Sequence, residues 1–323
     1  MYSVLLGVRR FPRDILIVKH NGKYGAINRR GEMILDATYD KIEYLNNPNY
    51  VRVTNRNKKG VVDSEGRIIL PIEYDHIGEM QEDIIVAGKD WYYGCFDKQG
   101  NVIVPLIYAN IGEFSEGIAS FSELIKYGYL NCKGEVVIPP FADSAYAFSD
   151  GCARVIVDGL TGYINADGTW AIEPRFDSGY DCTCGIIAVS SDGRYFFVDT
   201  TGRTLVNARY DEIEPFDTQM RVAKVSNGGK WGVVNTEGLL VVPIRYDKVM
   251  VLPDGYIYVE MAGKCGIYNL VGNMLYDVVY DWIQCESGKP LFNQGLITMR
   301  RGEDLFRIDP QGNHIYNYSS FVE

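Results

Sequence analysis

A four-residue pattern, Asn or Asp followed three residues later by Gly, recurs nine times at nearly constant spacing. The glycines are Gly31, Gly66, Gly100, Gly134, Gly168, Gly202, Gly238, Gly272 and Gly312. Their Asn or Asp partners are Asn28, Asp63, Asp97, Asn131, Asn165, Asp199, Asn235, Asn269 and Asp309. Seven of the eight intervals are 34–36 residues long, and the last is 40. Such a period indicates tandem repeats in which each copy meets the same backbone requirement.

The repeated tetrad predicts a β-hairpin. Around Asn235–Gly238, for example, short Val- and Leu-rich runs lie on both sides. Asn or Asp at the first position of a type I turn accepts a hydrogen bond from a backbone N–H two residues on. Gly at the fourth position tolerates a positive φ and closes the hairpin with a bulge. A phosphate-binding loop would need a following helix, which the sequence does not predict.

Three further features recur. A second glycine stands six residues before the first in seven copies, and Phe196 and Phe306 replace it in the sixth and ninth. The apolar run after the tetrad often reaches a Pro, which we expect to end the strand or mark an exposed edge because Pro lacks an N–H. Tyr-Asp-x-Ile follows, as at Tyr74–Ile77, and predicts a helical turn or tight corner with both apolar side chains inward. A third, alternating run completes the copy.

These features predict an all-β fold, a tandem array of nine β-hairpin or three-stranded units of about 34 residues each. One unit cannot bury its own apolar face, but stacked neighbours can. We expect an open β-solenoid. The alternative is a closed propeller-like ring, which is less favoured because 34 residues is short for a four-stranded blade.

We expect a single repeat domain over residues 1–323, because no linker or low-complexity tract interrupts the repeats. The run Ile15–Val18 matches the third strand of a missing preceding unit. The predicted divisions are an N-terminal cap strand (1–20), repeats at 21–54, 55–89, 90–123, 124–157, 158–191, 192–227, 228–261 and 262–301, and a partial C-terminal cap at 302–323.

The repeats resemble the bacterial WG-repeat family, whose units contain an aromatic residue, Gly, and then Asp-x-x-Gly. Residues 230–238 and 126–134 match that pattern, and the family's Phe-x-x-Gly-x-Ala run appears at Phe114 and Phe148. The match covers about residues 20–320, although Tyr or another residue usually replaces the Trp. The resemblance implies a β-rich repeat scaffold that is not tied to one reaction, so it assigns no catalytic residue.

Charge and cysteine content bear on partners and compartment. The net charge is −10 and the pI is near 5.0, which argues against nucleic acid or an anionic membrane as a partner. No window reaches the roughly 18 apolar residues of a membrane helix, so we expect no membrane insertion. The start of the chain lacks a secretory leader pattern, and seven Cys occur at irregular spacing. We therefore expect reduced thiols in the bacterial cytoplasm, or alternatively a secreted chain whose leader is missing.

No group of residues predicts catalysis, a metal or a cofactor. His20, His76 and His314 lie in different units, so a His-based metal site or catalytic triad is not expected. Cys182 and Cys184 would share one face of a strand, but no second Cys pair has zinc-ligand spacing. The sequence therefore predicts ordinary apolar packing for these thiols and no enzymatic activity.

Two repeated residue types leave alternatives open. The Asp residues after the corner aromatic form either a turn cap, which we favour, or an acidic stripe for cations or a basic partner. They are Asp40, Asp75, Asp143, Asp177, Asp211, Asp247 and Asp281. Ten Tyr outside the repeated positions could form a recognition surface or stack on sugar rings. They are Tyr44, Tyr50, Tyr92, Tyr146, Tyr163, Tyr180, Tyr256, Tyr258, Tyr268 and Tyr276.

The sequence favours a non-catalytic scaffold that binds a protein or peptide. The alternative is a carbohydrate- or cell-wall-binding module that uses surface tyrosines. No individual ligand-binding residue is predicted.

Overall fold

The computed structural model describes residues 3–4, 15–286, 289–290, 296–309 and 313–318, and every regular element in that part is a β-strand. Sheet 1 contains β1 (Ser3–Val4), β2 (Ile15–His20), β3 (Lys23–Asn28) and β4 (Met33–Tyr39). Sheet 2 contains β5 (Lys41–Tyr44), β6 (Tyr50–Asn55), β7 (Lys58–Asp63) and β8 (Ile68–Tyr74). Sheet 3 contains β9 (His76–Gln81), β10 (Ile84–Lys89), β11 (Tyr92–Asp97) and β12 (Val102–Tyr108). Sheet 4 contains β13 (Asn110–Ile111), β14 (Ile118–Glu123), β15 (Lys126–Asn131) and β16 (Val136–Ala142).

Five further sheets follow the same order. Sheet 5 contains β17 (Ser144–Ser149), β18 (Cys152–Val157), β19 (Leu160–Asn165) and β20 (Trp170–Phe176). Sheet 6 contains β21 (Ser178–Gly179), β22 (Ile186–Ser191) and β23 (Arg194–Asp199). Sheet 7 contains β24 (Glu212–Ile213), β25 (Val222–Asn227), β26 (Lys230–Asn235) and β27 (Leu240–Tyr246). Sheet 8 contains β28 (Lys248–Val251), β29 (Tyr256–Met261), β30 (Lys264–Asn269) and β31 (Met274–Tyr280). Sheet 9 contains β32 (Trp282–Ile283), β35 (Ile297–Arg301), β36 (Asp304–Ile308) and β37 (His314–Tyr318), with the hairpin β33 (Cys285–Glu286) and β34 (Lys289–Pro290) inserted.

Each sheet is an antiparallel meander in which strands pair in chain order. The all-β tandem array is therefore confirmed, but the full unit has four strands where the sequence predicted three. The extra strand comes from the Tyr-Asp-x-Ile corner. It contains no helical turn, because the chain after Asp75 enters β9 directly. Tyr74 and Ile77 are both buried, as predicted.

The predicted hairpin turn is present at the repeated tetrad. In sheet 3, the Asp97 carboxylate accepts the backbone N–H of Gln99 at 2.9 Å, and Gly100 has a φ of +87°. The first eight of the nine repeated glycines have a positive φ, whereas Gly312 lies outside the described residues.

The second glycine allows the fourth strand to approach closely. A Cβ on Gly94 would lie 2.5 Å from the carbonyl oxygen of Val104 on β12. Opposite Gly94 the register shifts, and β12 continues past Pro105 as an edge strand. The expectation that Pro ends the strand is therefore wrong, while its alternative, an exposed edge, is confirmed. The chain accommodates Pro there because the bulge and the free edge need no N–H from it.

The two copies that lack the second glycine have a different pairing between their last two strands. In sheet 6, where Phe196 replaces it, the fourth strand is reduced to isolated bridges at Thr204 and Tyr210. In sheet 9, Phe306 pairs directly with Asn317, so the register shift opposite this position is absent and the one remaining shift lies between Arg307 and Ile308. A side chain at this position thus prevents the usual bulged approach of the last strand.

The hydrophobic core is divided among neighbouring sheets. Val61 and Leu70 of sheet 2, for example, pack in one cluster with Ile77, Ile85 and Phe96 of sheet 3. Similar clusters join sheets 4 and 5, sheets 6 and 7, and sheets 8 and 9. Within each of these pairs, one sheet is consequently stabilised by the next one along the chain, as the repeat predicted.

The chain forms two compact units, residues 1–174 and 175–323, whose boundary falls within β20. The first unit holds sheets 1–4 and nearly all of sheet 5, and the second holds sheets 6–9. A single repeat domain over residues 1–323 stays a prediction. In the described part of the chain, no helix has the length and apolar character needed to cross a bilayer.

Candidate functional site

At several junctions the repeated Asp joins one sheet to the next. It pairs with a Lys or Arg of the first sheet and accepts a backbone N–H from a hairpin of the second, and we call this arrangement the clasp. At the junction of sheets 2 and 3, an Asp75 oxygen lies 2.5 Å from Nζ of Lys58. The other Asp75 oxygen accepts the backbone N–H of Asp90 at 3.1 Å. Lys58 begins β7 of sheet 2, whereas Asp90 is in the β10–β11 turn of sheet 3. The hydrogen bond from Lys58, and next that from Asp90, hold the pKa of Asp75 below its usual value.

The clasp recurs at six junctions within the described part of the chain. Its ion pairs are Lys23–Asp40, Lys58–Asp75, Lys126–Asp143, Arg194–Asp211, Lys230–Asp247 and Lys264–Asp281. The same carboxylates accept backbone N–H groups of Arg56, Asp90, Asp158, Gly228, Ala262 and Gly302 in the next hairpin. These Asp residues therefore bridge two sheets, where the sequence suggested a local turn cap or an open acidic stripe.

At one junction, neither the lysine nor the aspartate of the clasp is present. Between sheets 3 and 4, Tyr92 stands at the lysine position and Ala109 at the aspartate position. By contrast, a later copy in the sequence has Leu160 at the lysine position but retains Asp177 at the aspartate position. The junction of sheets 3 and 4 is therefore not held by the ion pair that holds its neighbours.

Apolar side chains are exposed at that same junction. Trp91 is 92% exposed, Tyr92 53%, Leu124 90% and Ile125 82%, and Ala109 is exposed between them in the chain. We call these five residues the junction surface. Trp91 lies in the β10–β11 turn, and Leu124 and Ile125 form the equivalent β14–β15 turn of the next sheet.

Two of these residues have a backbone conformation that disfavours their side chains. Trp91 has a φ of +72° and Leu124 a φ of +55°. Residues with a Cβ lose about 1–2 kcal/mol in the left-handed region. The equivalent turns mostly use Gly, Asn or Asp, at Asn21–Gly22, Asp158–Gly159, Asp192–Gly193 and Gly228–Gly229. Strain and exposure together indicate that Trp91 and Leu124 serve something other than folding.

A pocket of about 600 Å³ lies beside Trp91. It is lined by Lys58, Asp75, His76, Gly88, Lys89, Asp90, Trp91, Tyr93 and Ala109. The rings of His76 and Tyr93 are 5.7 Å apart between centroids. Burial, and next the nearby charges of Lys59 and Arg52, lower the pKa of His76, so its imidazole is mainly neutral at pH 7.

The histidines and cysteines named from the sequence do not come together into a site. His20 and His76 lie in different sheets, and the side chain of His314 is outside the described residues. Cys182 and Cys184 lie in a turn before β22, where Cys184 has a φ of +59°, so they do not alternate along a strand as predicted. Among the described residues, no group of three His, Cys, Asp or Glu side chains could hold a metal ion.

The tyrosines outside the repeated positions mostly contribute to packing. All ten lie in the described part of the chain, and Tyr92 is the exposed one among them. Tyr92 is therefore a residue that the sequence already indicated, whereas Trp91, Leu124 and Ile125 were not predicted from the sequence. The signal that could have found them is a large apolar residue at a turn position where most other copies have Gly, Asn or Asp.

Comparison with solved structures gives only remote likenesses. A eukaryotic initiation factor shares 10% identity, with 95% of this chain and 96% of that chain covered and a TM-score of 0.49. Hsv2p of Kluyveromyces lactis shares 14% identity over 68% of this chain and 93% of that chain, with a TM-score of 0.38. The C-terminal WD40 domain of Sif2 shares 10% identity over 66% and 75%, with a TM-score of 0.33. No curated protein matches the sequence.

The repeats themselves match a known sequence family. The family described as WG containing repeat matches seven times, at residues 24–58, 60–90, 93–123, 127–160, 162–195, 195–231 and 231–265. These matches cover well over half of the chain and coincide with the repeated hairpins. The chain belongs to the WG-containing repeat family.

Proposed function

We propose that this protein is a non-catalytic binding module that holds a protein or peptide partner at the junction surface. The observation that carries the proposal is the pair of bulky apolar residues, Trp91 and Leu124, at exposed turn positions with a positive φ. Exposed clusters of large apolar side chains mark interaction sites, and Trp and Tyr are the usual anchors of protein interfaces.

The surrounding structure supports this role because it holds the two turns in place. The Asp90 backbone N–H is bound by Asp75 of the clasp before sheet 3. Lys126, which follows the Leu124–Ile125 turn, pairs with Asp143 at 2.5 Å in the next clasp. Anchors on fixed hairpins lose little entropy on binding, so more of the contact free energy is retained.

Comparative capture from cells of the source organism tests the proposal. The surface variant carries Trp91→Gly together with Leu124→Asn, since Gly and Asn both tolerate the local backbone. The control, Val271→Asn, removes another strongly exposed apolar side chain in residues 175–323. We expect a partner that the wild type and the control retain and the surface variant loses. Equal retention by the surface variant would refute the role of the junction surface.

Carbohydrate binding is the second candidate, because the adjacent rings of Trp91 and Tyr92 are both exposed. Aromatic faces of this kind can stack on sugars. Retention of the wild type on peptidoglycan or polysaccharide, lost in the surface variant and without a protein partner, would favour this candidate over the first.

We also propose that the protein acts in the cytoplasm and without a cofactor. The irregular spacing of seven Cys supports a reducing compartment. Burial raises the pKa of Cys95 to about 12, which makes that thiol unreactive. Fractionation of the source cells would test the location.

A further inference from the structure

We propose that the junction surface selects a partner segment in which Lys or Arg stands next to large apolar side chains. This inference rests on the proposed function and specifies the chemistry of the peptide. It follows from the charges at the two exposed turns, from the neighbouring pocket and from the exposed indole ring.

The carboxylates at the two turns are available to a partner. Asp90 directly precedes Trp91, and Glu123 directly precedes Leu124. Within the described residues, neither carboxylate forms an ion pair, and the Glu123 side chain is exposed. Both turns therefore carry an apolar residue beside a negative charge.

Three of the nearby lysines are already paired with carboxylates, whereas Lys59 donates only to the backbone oxygen of Asp75, at 3.0 Å. Lys58 lies 2.5 Å from Asp75, and Lys126 lies 2.5 Å from Asp143. Lys89 pairs with Glu73 at 3.1 Å. The two unpaired carboxylates, Asp90 and Glu123, outnumber Lys59, so the balance around the junction surface is negative, which is complementary to a basic segment and repels an acidic one.

The pocket beside Trp91 suits an apolar side chain of that segment. Its wall includes the Tyr93 ring and Ala109, and most other copies have an ion-paired Asp at the position of Ala109. His76, which also lines it, is mainly neutral at pH 7 and adds no positive charge against a basic partner. The exposed Trp91 ring can hold a Lys or Arg over its face, since cation–π contacts favour Trp.

Selection from a random peptide library, displayed on phage, tests the inference directly. Peptides are enriched on the wild-type protein after removal of those that bind the surface variant, Trp91→Gly with Leu124→Asn. We expect the enriched peptides to combine Lys or Arg with aromatic or aliphatic residues and to carry net positive charge. Enriched peptides that are acidic or neutral would overturn the inference while leaving peptide binding at this surface intact.

Failure of the proposed function gives a different result. If no peptide binds the wild type better than the surface variant, both peptide binding and the basic preference are wrong. Binding of glycans, or association of the protein with itself through these residues, would likewise replace the proposed peptide partner.

A charge variant separates the role of the carboxylates from that of the apolar residues. For an enriched peptide, Asp90→Asn with Glu123→Gln should weaken binding by about threefold to tenfold and reduce its salt dependence. The matched control, Asp254→Asn with Glu303→Gln, removes two exposed charges in residues 175–323 and should leave binding unchanged. Equal affinity in the wild type and the charge variant would contradict the assignment of Asp90 and Glu123.

Discussion

At the scale of single residues, the left-handed backbone distinguishes positions that serve folding from positions that serve a surface. Gly100 has a positive φ and lies against the neighbouring sheet, so the fold requires it. Trp91 has a positive φ with its side chain in solvent, so the fold would be better served by another residue. The same backbone conformation is thus required for folding at Gly100, whereas at Trp91 it places a strained residue in solvent.

Replacing Trp91 by Gly should stabilise the protein. Relief of the left-handed strain is worth about 1 kcal/mol in the free energy of unfolding. Trp91→Ala keeps a Cβ at the same φ and should change stability much less, while both variants lose partner binding. Urea denaturation with a binding assay checks this. A large loss of stability in Trp91→Gly would mean that the indole contributes to packing.

The repeated glycines should differ in sensitivity although the sequence makes them equivalent. A Cβ on Gly100 would lie 2.2 Å from the backbone oxygen of Ile69, whereas on Gly168 the nearest atom is a side-chain carbon of Ile138 at 3.4 Å. Gly168→Ala should cost about 1 kcal/mol from φ strain alone. Gly100→Ala should cost about 2–4 kcal/mol, because backbone must also move. Equal denaturation midpoints would show that close packing contributes nothing.

At the scale of elements, two features organise most of the sheets: the bulge opposite the second glycine and the clasp to the next sheet. The bulge lets the last strand lie close to the third, and sheet 6 lacks that strand ladder where Phe196 intervenes. The clasp ties a lysine, an aspartate and a hairpin N–H from two sheets together. Both depend on which residues face each other across strands.

The clasps should make stability depend on pH in the acid range. The pKa values of Asp40, Asp75, Asp143, Asp247 and Asp281 are lowered, chiefly by hydrogen bonds from their Lys partners. Their contribution is therefore present above about pH 4, near the unfolded pKa, and is lost as pH falls through the lower folded values. Urea midpoints measured from neutral to acid pH should fall in this range, and less steeply in Lys126→Met. An unchanged slope in that variant would contradict the assignment.

The missing clasp can be installed with two substitutions. Tyr92→Lys and Ala109→Asp together should restore the ion pair between sheets 3 and 4, raise the thermal midpoint and weaken partner binding. Either substitution alone leaves an unpaired charge and should not raise the midpoint. A double variant no more stable than the sum of the single variants would show that no clasp forms.

At the scale of the molecule, the core is a series of clusters between neighbouring sheets, so stability should be distributed in the same way. Sheets 2 and 3 share one cluster, and sheets 6 and 7 share another in the second compact unit. A defect at one junction should act mainly on the sheets that form it, because repeat arrays are stabilised by nearest-neighbour contacts.

Hydrogen exchange in Gly100→Ala tests this distribution. Gly100 of sheet 3 contacts Ile69 of sheet 2, so amides of those two sheets should exchange faster in the variant. Amides of sheets 7 and 8, within residues 175–323, should keep their protection. A uniform loss of protection in all sheets would show that the array unfolds as one cooperative body.

Much of the fold could be predicted because the repeated turn chemistry is local. Asn or Asp and Gly at the tetrad dictate the hairpin, and Tyr74 and Ile77 are apolar residues that had to be buried. The extra strand at the corner was missed because the spacing of Tyr74 and Ile77 also suits a helical turn, whereas β9 follows the corner directly and pairs with β10. Trp91, Leu124 and Ile125 of the junction surface were missed because exposure depends on what the neighbouring sheets leave uncovered.

The amino-acid sequence by itself determined the repeated tetrad turns and the identity of the family, because these depend on residues a few positions apart. Only the tertiary structure decided that Asp75 bridges two sheets, that Pro105 lies in a continuing edge strand and that Trp91 and Leu124 face solvent. Those outcomes depend on close approach between separate strands, where distances of a few tenths of an ångström decide which side chains pair, pack or remain exposed.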